Sequence, residues 1–151
     1  MSVLIAPPDA TGAPSHIVEF AQEHLAEQLE SRGMRVIRIE NVTRKLPVSR
    51  RRTLLRCKRT EAPCLQWLGT VSKAEVVLVA ELVLGTSGYR AGVRAYAAKD
   101  GALISKNLVA DVPEDKLLDT LTQTLDVVAP DTQRALRGLP PAPPIDDVPP
   151  P

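Results

Sequence analysis

The chain switches between two hydrophobic periods. Val3-Leu4-Ile5-Ala6 is a short apolar run stopped by Pro7-Pro8, the mark of a buried first strand. After a loop over 9–14, Ile17, Ala21, Leu25 and Leu29 recur every four residues with Phe20 beside them, while Glu19, Glu23, Glu27 and Glu30 fall elsewhere. That stripe predicts an amphipathic helix from Ser15, as N-cap, to Arg32, with Gly33 placed to close it. Met34 to Asn41, rich in Val and Ile, reads as a second strand. A basic stretch follows, with a turn at Pro47 and a short helix from Ser49. Pro63, at a first-turn position, starts a helix carrying Leu65, Leu68 and Val71, with Trp67 at the core edge.

The second half reads as a meander. Glu75 to Leu84 and Tyr89 to Ala97 are strands joined by Gly-Thr-Ser-Gly, a hairpin signal. Along the second strand Tyr89, Ala91, Val93 and Ala95 alternate with Arg90, Gly92, Arg94 and Tyr96, so one face is apolar and the other largely wet. Lys99-Asp100-Gly101 turns the chain into a third strand over Ala102 to Ala110. Asp111 and Pro113 open a last helix with Leu118, Leu121, Leu125 and Val128 in one stripe. This order predicts an α/β (α+β) fold: a mixed sheet of about five strands, helices packed mainly on one face, and a C-terminal β-meander followed by a helix. The compact domain is expected over 1–129, ended by Pro130, with a short helical extension over 130–138. Residues 139–151, of which seven of thirteen are proline, form a linker or tail in extended polyproline II. That tail is either a spacer or, through Pro140 to Pro144, a ligand for an aromatic groove.

Composition narrows the class. The 151 residues are 44% hydrophobic, 25% charged and 3% aromatic, with a net charge of +1. Such a chain is too apolar to be wholly disordered and too balanced to be a histone-like polycation. Its core must be aliphatic. The best apolar run, Val76 to Leu84, has nine residues and contains Glu81, whereas a membrane span needs about 20. The N-terminus lacks the basic start and apolar length of a signal peptide. The chain is therefore expected to be cytoplasmic, or exported with its signal removed.

Cys57 and Cys64 are the only cysteines. Their six-residue spacing excludes a CxxC redox motif, and two thiols with the distant His16 and His24 make no familiar zinc site. Two readings remain. One is a local disulfide in an oxidising compartment, which the short loop favours because little else would hold it; the other is a pair of reduced, packed thiols. Closing such a loop is worth roughly 2–3 kcal/mol in chain entropy.

One feature departs from ordinary composition. Arg44, Lys45, Arg50, Arg51, Arg52, Arg56, Lys58 and Arg59 put eight positive charges into sixteen residues with no acid between them. The rest of the chain then carries −7, so the molecule is strongly polarised. Charges this dense repel unless a partner or salt screens them. An acidic protein or envelope surface, nucleic acid, or a merely solvated helix face would each account for them. Nucleic acid is disfavoured, since no aromatic residue interleaves the run and no RNP, KH or zinc-finger pattern occurs. Catalysis has no foothold either. His16 and His24 lie two turns apart on one helix and cannot share a metal. No nucleophile with a supporting acid is placed by any motif, and the glycines form no phosphate loop. No cofactor and no metal are expected. Asp146-Asp147, in the tail, reads as solvated.

The motifs also carry a resemblance. A helix beginning near "Cys64-Leu-Gln-Trp-Leu-Gly" leads to "Ala74-Glu-Val-Val-Leu-Val-Ala-Glu". A Gly-rich hairpin then gives "Tyr89-Arg-Ala-Gly-Val-Arg-Ala-Tyr" and "Lys99-Asp-Gly" before a closing helix. Over residues 3–129 this resembles the envelope domains related to the TolB N-terminal domain and the curli-secretion lipoprotein CsgG. The likeness implies a periplasmic, non-enzymatic domain that binds other envelope proteins, and it agrees with the disulfide. The expected function is then a protein-binding or scaffold module of a bacterial cell-envelope assembly, tethered by its proline-rich end. Its surface for an acidic partner would be the basic segment together with Arg90, Arg94 and Tyr96. The alternative is a cytoplasmic nucleic-acid-binding domain that uses the same segment.

Overall fold

The computed structural model describes residues 1–58 and 61–140. Arg59 and the tail from 141 onward, with Asp146, Asp147 and most of the docking stretch, lie outside the described residues. Strands β1 (Ser2–Ile5), β2 (Arg35–Arg38), β3 (Val76–Leu84), β4 (Tyr89–Ala97) and β5 (Leu103–Val112) form one mixed sheet in the order β2-β1-β3-β4-β5. β1 runs parallel to β2 and β3, whereas β3, β4 and β5 make an antiparallel meander. The helices are α1 (Ser15–Ser31), α2 (Ile39–Thr43), α3 (Val48–Arg56), α4 (Ala62–Ser72) and α5 (Leu117–Leu136). The mixed five-stranded α+β architecture expected from the pattern is the one observed, but the helices cover both faces of the sheet rather than mainly one, because the strands bury apolar side chains on both sides.

Strand side chains alternate, so the sheet offers two faces. Val3, Ile5, Val76, Leu78, Val93 and Ala95 turn to one of them. There Ala21, Leu25 and Leu29 of α1 and Leu121, Leu125 and Val128 of α5 cover them. Leu4, Ala6, Val77, Val79 and Tyr96 turn to the other and meet Val42, Leu54, Leu65 and Leu68 from α2, α3 and α4. The two long helices thus share one face, and the three short ones lie over the β2–β1–β3 side of the other. Close approach there depends on Gly69 of α4. A Cβ at that position would stand 2.4 Å from the Ala98 Cβ just beyond β4.

Several local expectations are corrected. β2 stops at Arg38 because Ile39, Val42 and Thr43 are spaced for a helical turn, and that turn buries Val42. Ser15 does not cap α1. Pro14 holds the cap position in an extended conformation, and its carbonyl accepts the N–H groups of Ile17 and Val18. Gly33 does close the helix, at φ +81°. Phe20 is 65% exposed, outside the α1 stripe. In α5 the inward stripe starts at Leu117, and Leu118 faces solvent. Pro130 does not end the helix. It sits on the solvent side, where the Asp126 carbonyl deprived of its donor can reach water. Beyond it Thr132 is buried, and the Ser105 hydroxyl donates to the Asp131 carboxylate.

Candidate functional site

The basic segment is built in three pieces. Arg44 and Lys45 follow the end of α2, Arg50, Arg51, Arg52 and Arg56 lie on α3, and Lys58 begins the connection to α4. Helix α3 has nine residues, fewer than the roughly 12–15 that an isolated helix needs, so its fixings matter. Leu54 anchors it in the core beneath α2–α4. A disulfide joins Cys57 to Cys64 of α4 with Cα atoms 5.5 Å apart. Arg51 holds the other end: its Nε donates to the Thr43 carbonyl at 2.9 Å, and its guanidinium donates to the Leu46 carbonyl at 3.3 Å. Arg51 is thus a structural latch over the last turn of α2. The remaining cations, Arg44, Lys45, Arg50, Arg52, Arg56 and Lys58, are exposed. Among the described residues none of them has a carboxylate within 4.0 Å.

The β4 residues of the expected surface behave differently. Arg90, Arg94 and Tyr96 do share a face, the same one that α3 overlies, but they are not equally accessible. Tyr96 is 8% exposed and belongs to the core. Burial pushes its phenol pKa up, with the Arg94 charge opposing and Glu81 adding to the shift. Arg94 is bound inward, its Nη1 donating to Glu81 Oε1 at 2.8 Å. The Arg90 Nε lies 2.7 Å from Oε2, an ion pair angled too poorly for a hydrogen bond. Glu81 is itself 5% exposed. Only Arg90, more than half exposed, keeps an outward charge. The wet face read from alternation is therefore a buried carboxylate held between two arginines. A signal for it was present: the hairpin register sets Glu81 opposite Gly92, with Arg90 and Arg94 two residues to either side.

The histidines serve packing. His24 Nε2 pairs with Thr122 Oγ1 at 2.7 Å, linking α1 to α5, and His16 meets the Phe20 ring edge-on. Trp67 packs at the edge of the core under α2–α4. Sequence reasoning missed one feature altogether, a groove of about 750 Å³ beyond the C-terminal ends of β1 and β2. Val18, Glu19, Gln22 and Glu23 of α1 form one wall, Arg38, Ile39, Glu40 and Thr43 form another, and Leu55 is the lip from α3. Within it Arg38 is bound to Glu23, and that bond raises the guanidinium pKa against the opposing effect of burial.

No protein-family model matches this sequence, and no curated protein matches it. Solved structures do, and what they share with this chain is its α+β fold. Lipoprotein GNA1162 from Neisseria meningitidis aligns over 89% of this chain and 96% of its own, with a TM-score of 0.56 and 16% identity. The LpoB C-terminal domain from Escherichia coli aligns over 71% of this chain and 78% of its own, at TM-score 0.52 and 13% identity. The corresponding Salmonella enterica domain gives a TM-score of 0.51 at 10% identity. Identities this low establish a shared fold and nothing finer. TolB from Acinetobacter baumannii also aligns, at a TM-score of 0.45 that carries no weight. The resemblance seen in the motifs is supported at the level of a lipoprotein-like fold, and not at that of the curli-secretion protein. Among the described residues no helix is long and apolar enough to cross a membrane.

Proposed function

We propose that this chain is a non-enzymatic protein-binding or scaffold domain of a bacterial cell-envelope assembly. In this reading the basic segment captures an acidic protein surface, and the proline-rich end tethers the domain to its assembly. The observation that carries it is the set of six exposed cations without internal acids, on a segment fixed by Leu54, the disulfide and the Arg51 latch. Repulsion among them is a standing cost to folding, and a complementary partner relieves it. Two further facts support the envelope setting: the lipoprotein-like fold, and a disulfide of the sort that persists in oxidising compartments. Arg90 would extend the surface, whereas Arg94 and Tyr96 would serve it only from within.

The test spares Arg51, because its loss would unlatch α3. Arg50→Ala, Arg52→Ala and Arg56→Ala combined should not lower the thermal midpoint, and should raise it slightly by relieving that repulsion, while weakening capture of a crosslinked envelope partner by roughly ten- to a hundredfold. A duplex oligonucleotide should bind weakly at low salt and not at physiological salt. Unchanged capture by the triple variant would remove the segment from the reading. Tight duplex binding whose affinity falls steeply with salt would replace the protein partner with nucleic acid.

A further inference from the structure

The groove between α1 and α2 has no part in the partner surface on α3, yet its lining is that of a ligand site. Its volume of about 750 Å³ falls within the roughly 300–1,000 Å³ usual for small-molecule pockets. It lies beyond the carboxyl ends of β1 and β2, next to the point where the chain's next strand, β3, joins the other side of β1. In open α/β sheets the crevice at such a reversal of strand order is where ligands bind. Ile5, Pro7, Val18, Ile39 and Leu55 give it apolar walls.

Its polar groups are one-sided. Gln22 turns its amide nitrogen to the Ala6 carbonyl, donating at 3.1 Å, and this fixes which way round the amide sits. Its oxygen, Oε1, is buried and accepts no hydrogen bond from the protein. A buried acceptor left in that state costs free energy until a donor reaches it. Glu19 and Glu40 add carboxylates that form no ion pair among the described residues. The one cation in the lining, Arg38, is already held by Glu23, with Glu30 at 3.8 Å. Of the basic helix only Leu55 lines the groove, and the nearby Arg51 guanidinium is spent on the Thr43 and Leu46 carbonyls. The groove therefore offers acceptors and negative charge to a donor with an aliphatic body.

We propose that this groove binds a small aliphatic ammonium ligand, its hydrocarbon on the Val18, Ile39 and Leu55 walls and its nitrogen donating toward Gln22 Oε1 and the Glu19 and Glu40 carboxylates. An ammonium carries three donors and no acceptor, which suits a site with acceptors to spare. The inference stands apart from the proposed function, since Arg50, Arg52 and Arg56 take no part in it.

The experiment uses hexylammonium, 1-hexanol and hexanoate as probes of equal length, titrated into the isotope-labelled chain at physiological salt. Hexylammonium should give saturable amide shifts confined to Val18, Gln22, Ile39, Leu55 and their neighbours. Hexanol should move the same amides with affinity weaker by about tenfold, and hexanoate should bind more weakly still. The preference for hexylammonium over hexanol should vanish in a Glu19→Gln and Glu40→Gln double variant, both sites being solvent-facing and the fold verifiable from the unperturbed spectrum. Gln22→Leu should weaken both hexylammonium and hexanol, since the ammonium and the hydroxyl can each donate to Oε1. Hexanol or hexanoate binding as tightly as hexylammonium, shifts centred elsewhere, no saturable shift, or a preference that survives the double variant would each overturn the proposal.

Discussion

On one side of the sheet, α1 and α5, of 17 and 20 residues, press long rows of Leu, Val and Ala against β1, β3 and β4. On the other, α2, α3 and α4 have 5, 9 and 11 residues and share a smaller core, helped by the disulfide and by Arg51 on backbone carbonyls. The first side can hold itself together by aliphatic burial. The second consists of helices too short to stand alone, and it carries the cations that repel one another. Stability and display are thus divided between the faces: an inert aliphatic layer supports the sheet, and a clipped, charged layer is presented from it.

The sharpest way to break that division is to truncate each side in turn. Leu125 is fully buried beneath α5, and Leu125→Ala should cost about 3 kcal/mol of global stability in chemical denaturation. Leu54 is 1% exposed beneath α3. Its truncation should instead release amide protection locally, over α3 and its junction with α4, while α1 and α5 keep theirs. Equal whole-domain losses from the two variants would show a single cooperative unit and end the distinction. Replacing Cys57 and Cys64 together by Ser comes next. It should cost roughly 2–3 kcal/mol by loop-closure entropy, again read as faster exchange confined to the α3–α4 region. A smaller effect is expected at the buried carboxylate. Glu81→Gln leaves Arg94 and Arg90 able to reach water, so the loss should be about 1–2 kcal/mol, accompanied by tighter binding of anionic probes at the freed arginines.

Much of the supporting side was legible in the sequence, because period alone writes it. Ala21, Leu25 and Leu29 repeat at helical spacing, and the β3–β4 hairpin announces itself through Gly85 and Gly88. Errors there were ones of phase, such as Leu118 standing for Leu117, or of local rule. Pro130 reads as a stop in the pattern, although a proline facing water removes only one hydrogen bond and buried Thr132 holds the helix beyond it. The display side was less legible. Its cations and its cysteines were visible as residue types, but charge counts do not tell which arginine faces outward. Arg51 is consumed by backbone carbonyls that no residue pattern marks, and Arg94 by Glu81, a pair that shows only once the hairpin register is drawn. The ammonium groove was invisible for the same reason: Gln22, Ile39 and Leu55 come from three helices and share no spacing.

The smallest expected effect uses one tyrosine from each face. Tyr89 lies in the core beneath α1 and α5, where burial is the main cause that raises its pKa. The nearby Glu114 charge and the hydrogen bond its hydroxyl donates to Glu114 at 3.3 Å push the same way. Tyr96, in the other core, is also raised by burial, but Arg94 pulls against the shift. A phenol whose folded pKa exceeds its unfolded value of about 10 holds its proton in the folded state after the unfolded chain has released it. The unfolded state then binds fewer protons, so stability is intact below the unfolded value and declines as pH climbs past it. Thermal midpoints should therefore fall on the alkaline side, with phenolate absorbance appearing together with unfolding rather than before it. Tyr89→Phe and Tyr96→Phe should each flatten that fall. A fall left unchanged by either variant would mean that burial on that face does not hold the phenol's proton, and that side of the sheet would be less tightly sealed than its packing implies.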